Sequence, residues 1–290
     1  MDVRALAMGL VFALIWSSAF TSARIIVEAA PPLAALSIRF FLSGLIGIGI
    51  AWALGQSMRL SRGQWRSVII FGLCQNALYL GLNFVAMQTV EASLAAIIAS
   101  TMPLLVAAAN WGIFRERLPV SGIVGLLAGF AGVALIMAQR LGGGADLFGV
   151  ILCLIGAVAL TVATLAVRSA SSGGGNLMMV VGLQMIVGSV ILLPLAVLLE
   201  SWTVSWSPAF VAAFAYTTLF PGLLATFIWF LLVGRIGATR AATYHFLNPF
   251  FGVAIAAVIL GEALTWVDVA GVTIVAIGIL MVQRARVETA

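Results

Sequence analysis

Long apolar stretches alternate along the chain with short polar segments. A helix needs about 20 mostly apolar residues to cross the hydrocarbon core of a bilayer, and the stretches are close to that length. The segments between them carry charges or Gly, Ser and Pro, which are typical of turns. The pattern predicts ten membrane-spanning helices, with cores at Ala5–Phe20, Ala34–Leu54, Val68–Met87, Ser93–Phe114, Val120–Ala138, Leu147–Val167, Leu177–Leu199, Ala209–Val233, Ala238–Leu260 and Val267–Val282.

Composition agrees with an all-α integral membrane protein. Hydrophobic residues make up 63% of the chain and charged residues 8%, with a mean hydropathy of +1.22, whereas soluble domains are about 25% charged. A sequence pI near 10.2 would suggest nucleic acid for a soluble protein. There is no polybasic tract or nucleic-acid motif, so we expect the protein to associate with the lipid bilayer and not with a nucleic acid.

Arginine distribution predicts the orientation of the chain. Cytoplasmic loops of membrane proteins carry an excess of Lys and Arg. Of the 14 basic residues, Arg24 and Arg140 fall on one side and Arg39 falls within the second span. The others fall on the side that holds both termini: Arg4, Arg59, Arg62, Arg66, Arg115, Arg117, Arg168, Arg235, Arg240, Arg284 and Arg286. Both termini are therefore predicted to be cytoplasmic.

The chain contains an internal repeat. When it is shifted by 146 positions, Phe84–Ala134 aligns with Phe230–Leu280 without a gap, and ten of 51 positions are identical. Pro103 then aligns with Pro249, and these prolines carry more weight than the common Ala and Gly matches. Internal repeats are typical of secondary transporters, whose substrate site lies where the repeats meet.

Ten spans divide into two sets of five, residues 1–141 and 146–290, joined by a glycine-rich segment. An odd number of spans per repeat places the second repeat upside down in the membrane. Glu116 would then follow the fourth span on the cytoplasmic side, and its equivalent Glu262 would follow the ninth on the opposite side. The sequence thus predicts two inverted five-helix repeats around a central cavity.

Polar residues inside the spans identify candidate binding residues, because polar groups in a bilayer are costly and usually face a cavity or the bundle interior. In the third span, Gln75, Asn76, Tyr79 and Asn83 form a stripe on one helical face. Tyr79 and Asn83 are the predicted substrate-binding residues of this stripe. The alternative is that the amides only join helices.

Two equivalent prolines each follow a polar cluster. Ser100 and Thr101 precede Pro103 in the fourth span, and Tyr244, His245 and Asn248 precede Pro249 in the ninth. A proline removes one amide donor and displaces the carbonyl four residues earlier. We expect two bent helices whose hydroxyls, amides and freed carbonyls contribute to one substrate site, although both prolines also fit simple helix curvature.

Three residues leave alternatives open. His245 is the only histidine, and it fits binding of a substrate carboxylate, a structural hydrogen bond or proton relay. Trp16 lies deep enough in the first span to form an aromatic wall of the site, although interfacial tryptophans are common. Arg39 either snorkels, pairs with Glu28 or Glu91, or attracts a substrate carboxylate.

Glycines in the fifth and tenth spans indicate close helix packing. Gly125 and Gly129 form a GxxxG motif, and Gly271 and Gly278 repeat Gly125 and Gly132 in the second half. Small residues allow the backbones of membrane helices to approach each other. These spans are predicted to pack within one chain or across a dimer, so the protein is expected to be a monomer or a weak homodimer.

The sequence lacks the motifs of several other classes. It has no P-loop, no HExxH, no Ser/His/Asp set and no acidic magnesium cluster, and Cys74 and Cys153 lie inside predicted spans where packing is their expected role. We therefore expect no cofactor, no metal and no enzymatic activity. A lipid-modifying enzyme and a channel remain as alternative classes, the second distinguishable by its conductance.

Several motifs together resemble the ten-helix EamA-type members of the drug/metabolite transporter superfamily. The resemblance covers nearly the whole chain. It rests on LIWSSAF (Leu14–Phe20), Arg39 in LSIRFF, TMPLLVAA around Pro103, Glu116, GLLAGFAGVALI, LNPFFGVAIAAVILGEAL (Leu247–Leu264), Gly271 and Gly278. The second half departs from the first, since Gly156 takes approximately the place of Trp16 and Gln184 that of Arg39.

The resemblance implies a bacterial inner-membrane exporter that works by alternating access. It implies a cavity lined mainly by the first, third, fourth, sixth, eighth and ninth helices, and helix-capping or gating contacts for Glu116 and Glu262. With Tyr79, Tyr244, His245 and Trp16, the cavity would suit amino acids, including aromatic ones, or related small metabolites. The alternative within the superfamily is efflux of cationic drugs, which normally requires a buried acid that is not visible here.

Overall fold

The computed structural model describes residues 3–112, 119–142, 144–166, 176–237 and 241–284. Within these ranges the chain forms helices and loops without strands. The helices are α1 (Val3–Ala29), α2 (Pro32–Ala53), α3 (Arg62–Ala86), α4 (Ala92–Ala99), α5 (Met102–Gly112), α6 (Val120–Gly142), α7 (Leu147–Ala166), α8 (Leu177–Leu199), α9 (Pro208–Ile236), α10 (Asn248–Leu260) and α11 (Trp266–Arg284).

The helices confirm the predicted all-α membrane architecture. In the described ranges, eight helical stretches are long and apolar enough to cross a membrane: α1, α2, α3, α4 with α5, α6, α7, α8 and α9. The last two predicted spans correspond to shorter apolar helices, Asn248–Leu260 and Trp266–Gly278. The ninth is short because a 3₁₀ segment, Thr243–Leu247, precedes α10.

Both prolines that the sequence singled out lie at helix interruptions. The fourth predicted span is divided at Ser100 and Thr101, and Pro103 is the second residue of α5. Pro249 likewise follows the 3₁₀ segment and is the second residue of α10. Proline is well suited to the first turn of a helix, where its missing amide is not needed.

Two long helices also contain π-helical segments at equivalent positions. The segment in α3 is Gly72–Leu80, and the segment in α9 is Thr218–Ala225. Their first residues differ by the same 146 positions that relate the two prolines. π turns inside α-helices are rare and frequently occur at functional sites. Both segments contribute side chains to the cavity described below.

Glycines bring α6 and α11 into direct backbone contact. A Cβ on Gly132 would lie 2.8 Å from the carbonyl oxygen of Gly271, and a Cβ on Gly278 would lie 2.6 Å from the amide nitrogen of Gly129. The predicted glycine interface therefore lies within one chain. A second close pair joins α2 and α8, where a Cβ on Gly182 would lie 2.8 Å from the Ile48 nitrogen.

Side chains from distant loops cap several helices on the membrane face where α1 ends, here called the far face. The Glu200 carboxylate accepts the amides of Leu33 and Ala34 at the start of α2, each at 2.8 Å. The Glu262 carboxylate accepts the amides of Ala92 and Ser93 at the start of α4, at 2.8 and 3.0 Å. Carboxylates at a helix N-terminus satisfy free amides and interact favourably with the helix dipole.

Candidate functional site

An internal cavity lies between α1, α2, α3, α8 and α9. Its free space is about 30 Å³, which has room for one or two water molecules. The lining residues are Trp16, Ala19, Phe20, Ala23, Arg39, Gln75, Asn76, Tyr79, Leu80, Asn83, Phe84, Met87, Met185, Thr217, Pro221, Gly222 and Thr226. We call this space the arginine cavity, after the charged group in its wall.

Arg39 is buried in this wall, with 3% of its surface exposed. Its Nη1 donates to the Thr217 carbonyl at 3.3 Å, and its guanidinium carbon lies 4.6 Å from the Phe40 ring centroid. Its Nε has no hydrogen-bond partner, and among the described residues no acid forms an ion pair with it. Cation–π contacts offset only part of the cost of burying a charge, so the site retains an uncompensated cation.

Two of the sequence alternatives for Arg39 are therefore wrong. Burial excludes snorkelling to the interface, and Glu28 pairs with Arg24 instead, at 2.7 Å. No ion pair joins Arg39 to Glu91 in the described part of the chain. Attraction of an anionic substrate group stays a prediction.

Asn83 supplies an unpaired acceptor in the same cavity. Its Nδ2 donates to the Tyr79 carbonyl at 2.8 Å, which assigns the orientation of the amide. Its Oδ1 is buried without a hydrogen-bond partner. Gly156 of α7 packs against this amide, since a Cβ there would lie 2.7 Å from Nδ2. Asn83 thus presents a carbonyl-type oxygen, held by two neighbouring helices.

Asn76, in contrast, is used internally. Its Nδ2 donates to the Gln184 main-chain carbonyl at 2.8 Å and also contacts the Gln184 Oε1. These bonds join α3 to α8 inside the bilayer-spanning region. Interhelical hydrogen bonds of this kind contribute about 1 kcal/mol in membranes. The structural alternative raised for the amide stripe therefore applies to Asn76.

A second, smaller space surrounds His245. It has about 10 Å³ of free volume, enough for at most one water molecule. It is lined by Phe12, Trp16, Phe71, Gln75, Leu160, Thr226, Trp229 and His245. Trp16, Gln75 and Thr226 also line the arginine cavity. These three side chains form the partition between the two spaces.

Aromatic rings surround the imidazole of His245 in this histidine chamber. The ring centroids of Phe12, Trp16 and Trp229 lie 5.1, 5.5 and 5.0 Å from that of His245, each at an edge-to-face angle. On the other side of Trp16, the Tyr79 ring is nearly parallel to the indole, at 6.4 Å. Edge-to-face and offset arrangements are the favourable geometries for such rings.

Asn248 orients His245. The Ser17 hydroxyl donates to Asn248 Oδ1 at 3.1 Å, so Asn248 Nδ2 faces His245 Nδ1, also at 3.1 Å. In a neutral imidazole this assignment makes Nδ1 the acceptor and leaves the proton on Nε2. Structural bonding, one of the three roles considered for His245, is therefore observed.

The predicted binding residues are only partly brought together. Trp16, Tyr79 and Asn83 line the arginine cavity, and His245 lines the histidine chamber with Trp16. Asn248 lies behind His245, and Tyr244 packs against Gly9 of α1. Neither lines one of these two spaces.

Ser100 and Thr101 also lie away from both spaces. Their hydroxyls donate to the carbonyls of Ile97 and Ile98, at 2.5 and 2.7 Å. The hydroxyls thereby satisfy carbonyls at the end of α4, where the helix stops before Pro103. Their role in substrate binding stays a prediction.

The two predicted gating glutamates differ in what the structure shows. Glu262 caps α4 across the chain, as described above. Glu116 lies outside the described residues, so its role stays a prediction. The sequence placed Pro103, Pro249 and Arg39 in the same structural or gating group, and of these Arg39 lines the arginine cavity.

Several cavity residues were absent from the predicted site. Gln75, Thr217 and Thr226 are polar, buried and in contact with the arginine cavity. Their signal was available, because each is a polar residue inside an apolar span. Phe12 carried no comparable signal, since an aromatic residue in a membrane helix most often packs in the core or at the interface. Trp229 is, like Trp16, a tryptophan deep in its span, so its position was also a signal.

Comparisons with known proteins agree with a membrane transporter. A family model described as the EamA-like transporter family matches the chain twice, over residues 3–138 and 147–284. An uncharacterized transporter, YvbV of Bacillus subtilis, is 29% identical over 271 residues, which cover 93% of this chain and 88% of that protein. An uncharacterized inner membrane transporter, YedA of Escherichia coli, is 26% identical over 285 residues, covering 96% and 90%.

A solved structure, described only as the crystal structure of a protein, has the same fold. It superposes with a TM-score of 0.73 over 99% of both chains, at 21% sequence identity. At this identity the similarity supports the fold and not a substrate.

Proposed function

The chain belongs to the EamA-like transporter family, and from this premise we propose that it exports amino acids or related small metabolites by alternating access. It is a multi-pass membrane protein of a family of transporters, with relatives described as transporters. Its substrate is accordingly a small molecule that must enter the region between the helices. The choice among small molecules rests on the chemistry of the two internal spaces.

One observation carries the proposal: the arginine cavity offers a buried guanidinium with an unpaired Nε and an amide oxygen without a partner. Arg39 Nε is a charged donor without a partner, and Asn83 Oδ1 is an acceptor without a partner. A carboxylate satisfies the first in a charge-assisted hydrogen bond, and an ammonium group satisfies the second. An α-amino acid carries both groups on one carbon, so it complements both residues. An unpaired cation in the wall opposes cationic drugs.

The aromatic rings around His245 favour substrates with an aromatic side chain. Trp16 separates the arginine cavity from a chamber walled by Phe12, Trp229 and His245. An aromatic side chain that displaced Trp16 would meet ring edges and faces on several sides. The two spaces together hold only a few water molecules, so binding requires Trp16 or its neighbours to move. The internal space of this conformation is therefore smaller than that of the substrate-bound conformation.

The repeat architecture supports alternating access. We propose ten spans in two inverted repeats, residues 1–141 and 146–290, which agree with the two family matches at 3–138 and 147–284. The equivalent π segments and equivalent proline breaks support the same division. The close pairs α2 with α8 and α6 with α11 each join corresponding helices of the two halves. Inverted repeats provide two open states of similar energy.

We further propose that the protein lies in a bacterial inner membrane with both termini in the cytoplasm. The arginine bias of the loops supports this orientation. Export would then proceed toward the far face, where α1 ends. The described residues contain no deep carboxylate in the arginine cavity, which favours movement down a substrate gradient.

A counterflow screen tests the substrate class. Purified protein in liposomes loaded with an unlabelled compound is expected to take up the labelled form of amino acids, with aromatic ones ahead of small aliphatic ones. Sugars and quaternary ammonium drugs serve as the negative panel, and protein-free liposomes as the blank. Exchange of cationic drugs without amino-acid exchange would contradict the proposal and favour multidrug efflux.

Replacement of Trp229 by alanine tests the chamber. We expect exchange of aromatic amino acids to fall about tenfold, because a lost ring contact and its burial contribute about 1.4 kcal/mol. Exchange of alanine is expected to change less than twofold. The matched control is Trp206→Ala, since Trp206 is 76% exposed on the far face. Equal loss for aromatic amino acids and for alanine would show that Trp229 only supports the fold.

A further inference from the structure

Charged side chains from three separate elements bind the turn between α3 and α4 or the first residues of α4 after it. This turn, residues 87–91, lies on the far face. Arg24 approaches from α1, Asp146 from the loop before α7, and Glu262 from the loop after α10. We propose that these three contacts form a latch that closes the far face of the transporter and must open in each transport cycle.

Arg24 ties the turn to α1. Its guanidinium Nη1 donates to the carbonyl of Met87 and, at 3.4 Å, to the carbonyl of Val90. Its Nε donates to Glu28 at 2.7 Å, one helical turn further along α1. Met87 is itself a wall residue of the arginine cavity. The contact therefore holds a cavity wall against the helix that carries Trp16.

Asp146 ties the turn to α7. The Thr89 hydroxyl donates to Asp146 Oδ2 at 2.8 Å, and the Gly149 amide donates to the same carboxylate at 3.0 Å. Both bonds favour the charged carboxylate, with Thr89 contributing most, and they lower the pKa of Asp146. The stabilisation is therefore present above the ordinary Asp pKa and is lost only as pH falls through the lowered value. This contact is intact at neutral pH.

Glu262 ties the turn to the second half of the chain. Its two oxygens accept the amides of Ala92 and Ser93, the first residues of α4 after the turn. Gly261, with φ of 70°, ends α10 and turns the chain so that Glu262 reaches this helix start. A glycine is suited to this left-handed backbone conformation.

The three contacts have a common consequence for movement. Asp146 and Glu262 belong to the second half of the chain, and the turn belongs to the first. If the two halves rock against each other, the far face opens only when these bonds break. The arginine cavity can then widen between α1 and α3, where Arg24 now holds Met87. The inference concerns the opening of the far face and is independent of which substrate is carried.

Thiol accessibility tests the latch without a substrate. The native cysteines are first removed by Cys74→Ser and Cys153→Ala. A single reporter cysteine, Ala19→Cys, is then placed in the wall of the arginine cavity. Its rate of labelling by an impermeant thiol reagent, in nanodiscs, measures access to the cavity. With the latch weakened by Glu262→Ala, we expect at least about fivefold faster labelling. Glu262→Gln retains one acceptor oxygen, so its labelling rate is expected to lie between those of the wild-type protein and Glu262→Ala. Size-exclusion profiles check that both variants are folded.

Glu200→Ala is the matched control. Glu200 also caps a helix of the first half with two backbone bonds on the far face, but it follows α8 and caps α2, and these two helices are already joined by close glycine packing. We expect it to change the labelling rate less than twofold. Equal acceleration by both alanine variants would overturn the proposal, since any lost cap would then loosen the protein. An unchanged rate in folded Glu262→Ala would also overturn it.

Cross-linking tests the effect of holding the latch closed. In the cysteine-free background, Thr89→Cys and Asp146→Cys are joined by a short reducible bis-thiol reagent. Joining them is expected to stop counterflow of any substrate that the unlinked variant exchanges, and reduction is expected to restore it. Exchange that continues after verified cross-linking would overturn the latch. If no amino acid is exchanged at all, the proposed substrate class fails, while the labelling experiment still decides on the latch.

Discussion

Transport of carboxylate-bearing substrates is expected to fall at least about thirtyfold when Arg39 is replaced by leucine. Truncating one partner of a buried, hydrogen-bonded charge pair costs about 2 to 5 kcal/mol, and every 1.4 kcal/mol is tenfold in affinity. No acid among the described residues pairs with Arg39, so its removal takes away a buried charge and not an ion pair of that part of the chain. Folding is therefore expected to survive the change. The measurement is initial counterflow rate at matched protein density.

Substrate analogues distinguish the role of the charge from a general loss of activity. The wild-type protein is expected to prefer an amino acid to the amine that lacks its carboxylate, and this ratio is expected to approach one in Arg39→Leu. Arg39→Lys restores the charge without the planar fork of donors and is expected to recover part of the preference. If Arg39→Leu keeps the wild-type preference, Arg39 does not bind the carboxylate.

Replacing Gly278 by valine is expected to destabilise the protein by about 1 to 3 kcal/mol, the usual cost of overpacking a well-packed interface. A Cβ at this position would lie 2.5 Å from the Gly125 carbonyl oxygen and 2.6 Å from the Gly129 nitrogen. These atoms are backbone and cannot rotate away, so α6 and α11 must separate. The midpoint of thermal unfolding in detergent, followed by size-exclusion chromatography, measures the effect.

Gly49→Val is the control for the β-branched residue itself. Gly49 is inside α2, and a Cβ there would meet no atom within 4 Å. Any loss of stability that comes from placing valine in a membrane helix is common to both variants. The clash with backbone atoms of another helix occurs only in Gly278→Val. Equal unfolding midpoints for the two variants would show that the glycine contact contributes nothing to stability.

The fold could be predicted from the sequence because each of its causes is local. A span is a run of apolar residues, and a proline favours a helix break, as at Pro103 and Pro249. Pro194, in contrast, lies inside the continuous helix α8. The Gly125 to Gly278 interface was also predictable, since only small residues permit that approach. The π segments were not predicted, because the same residues are compatible with an α-helix and tertiary packing selects between the two.

The candidate site was less predictable because lining a cavity depends on rotation and packing among helices. Tyr79 and Asn83 were found from polarity and helical spacing alone. Ser100 and Thr101 were selected by the same criteria, yet their hydroxyls bond to carbonyls of their own helix. Sequence spacing does not distinguish these uses of a hydroxyl. Phe12 joins the chamber through its contact with His245, which no local pattern contains.

Arg39 lies off the centre of the molecule, since it is the eighth residue of α2, counted from the far face. The second half of the chain does not reproduce it, because Gln184 stands at approximately the corresponding position. A solute that arrives from the two compartments therefore meets the charge at different depths along its path. Its half-saturation concentration should differ between the two sides of the membrane, although thermodynamics requires the same equilibrium distribution. A charge at this depth, without an equivalent in the second half of the chain, would make the carrier kinetically asymmetric. The direction of transport would then be expressed in rates and not in free energy.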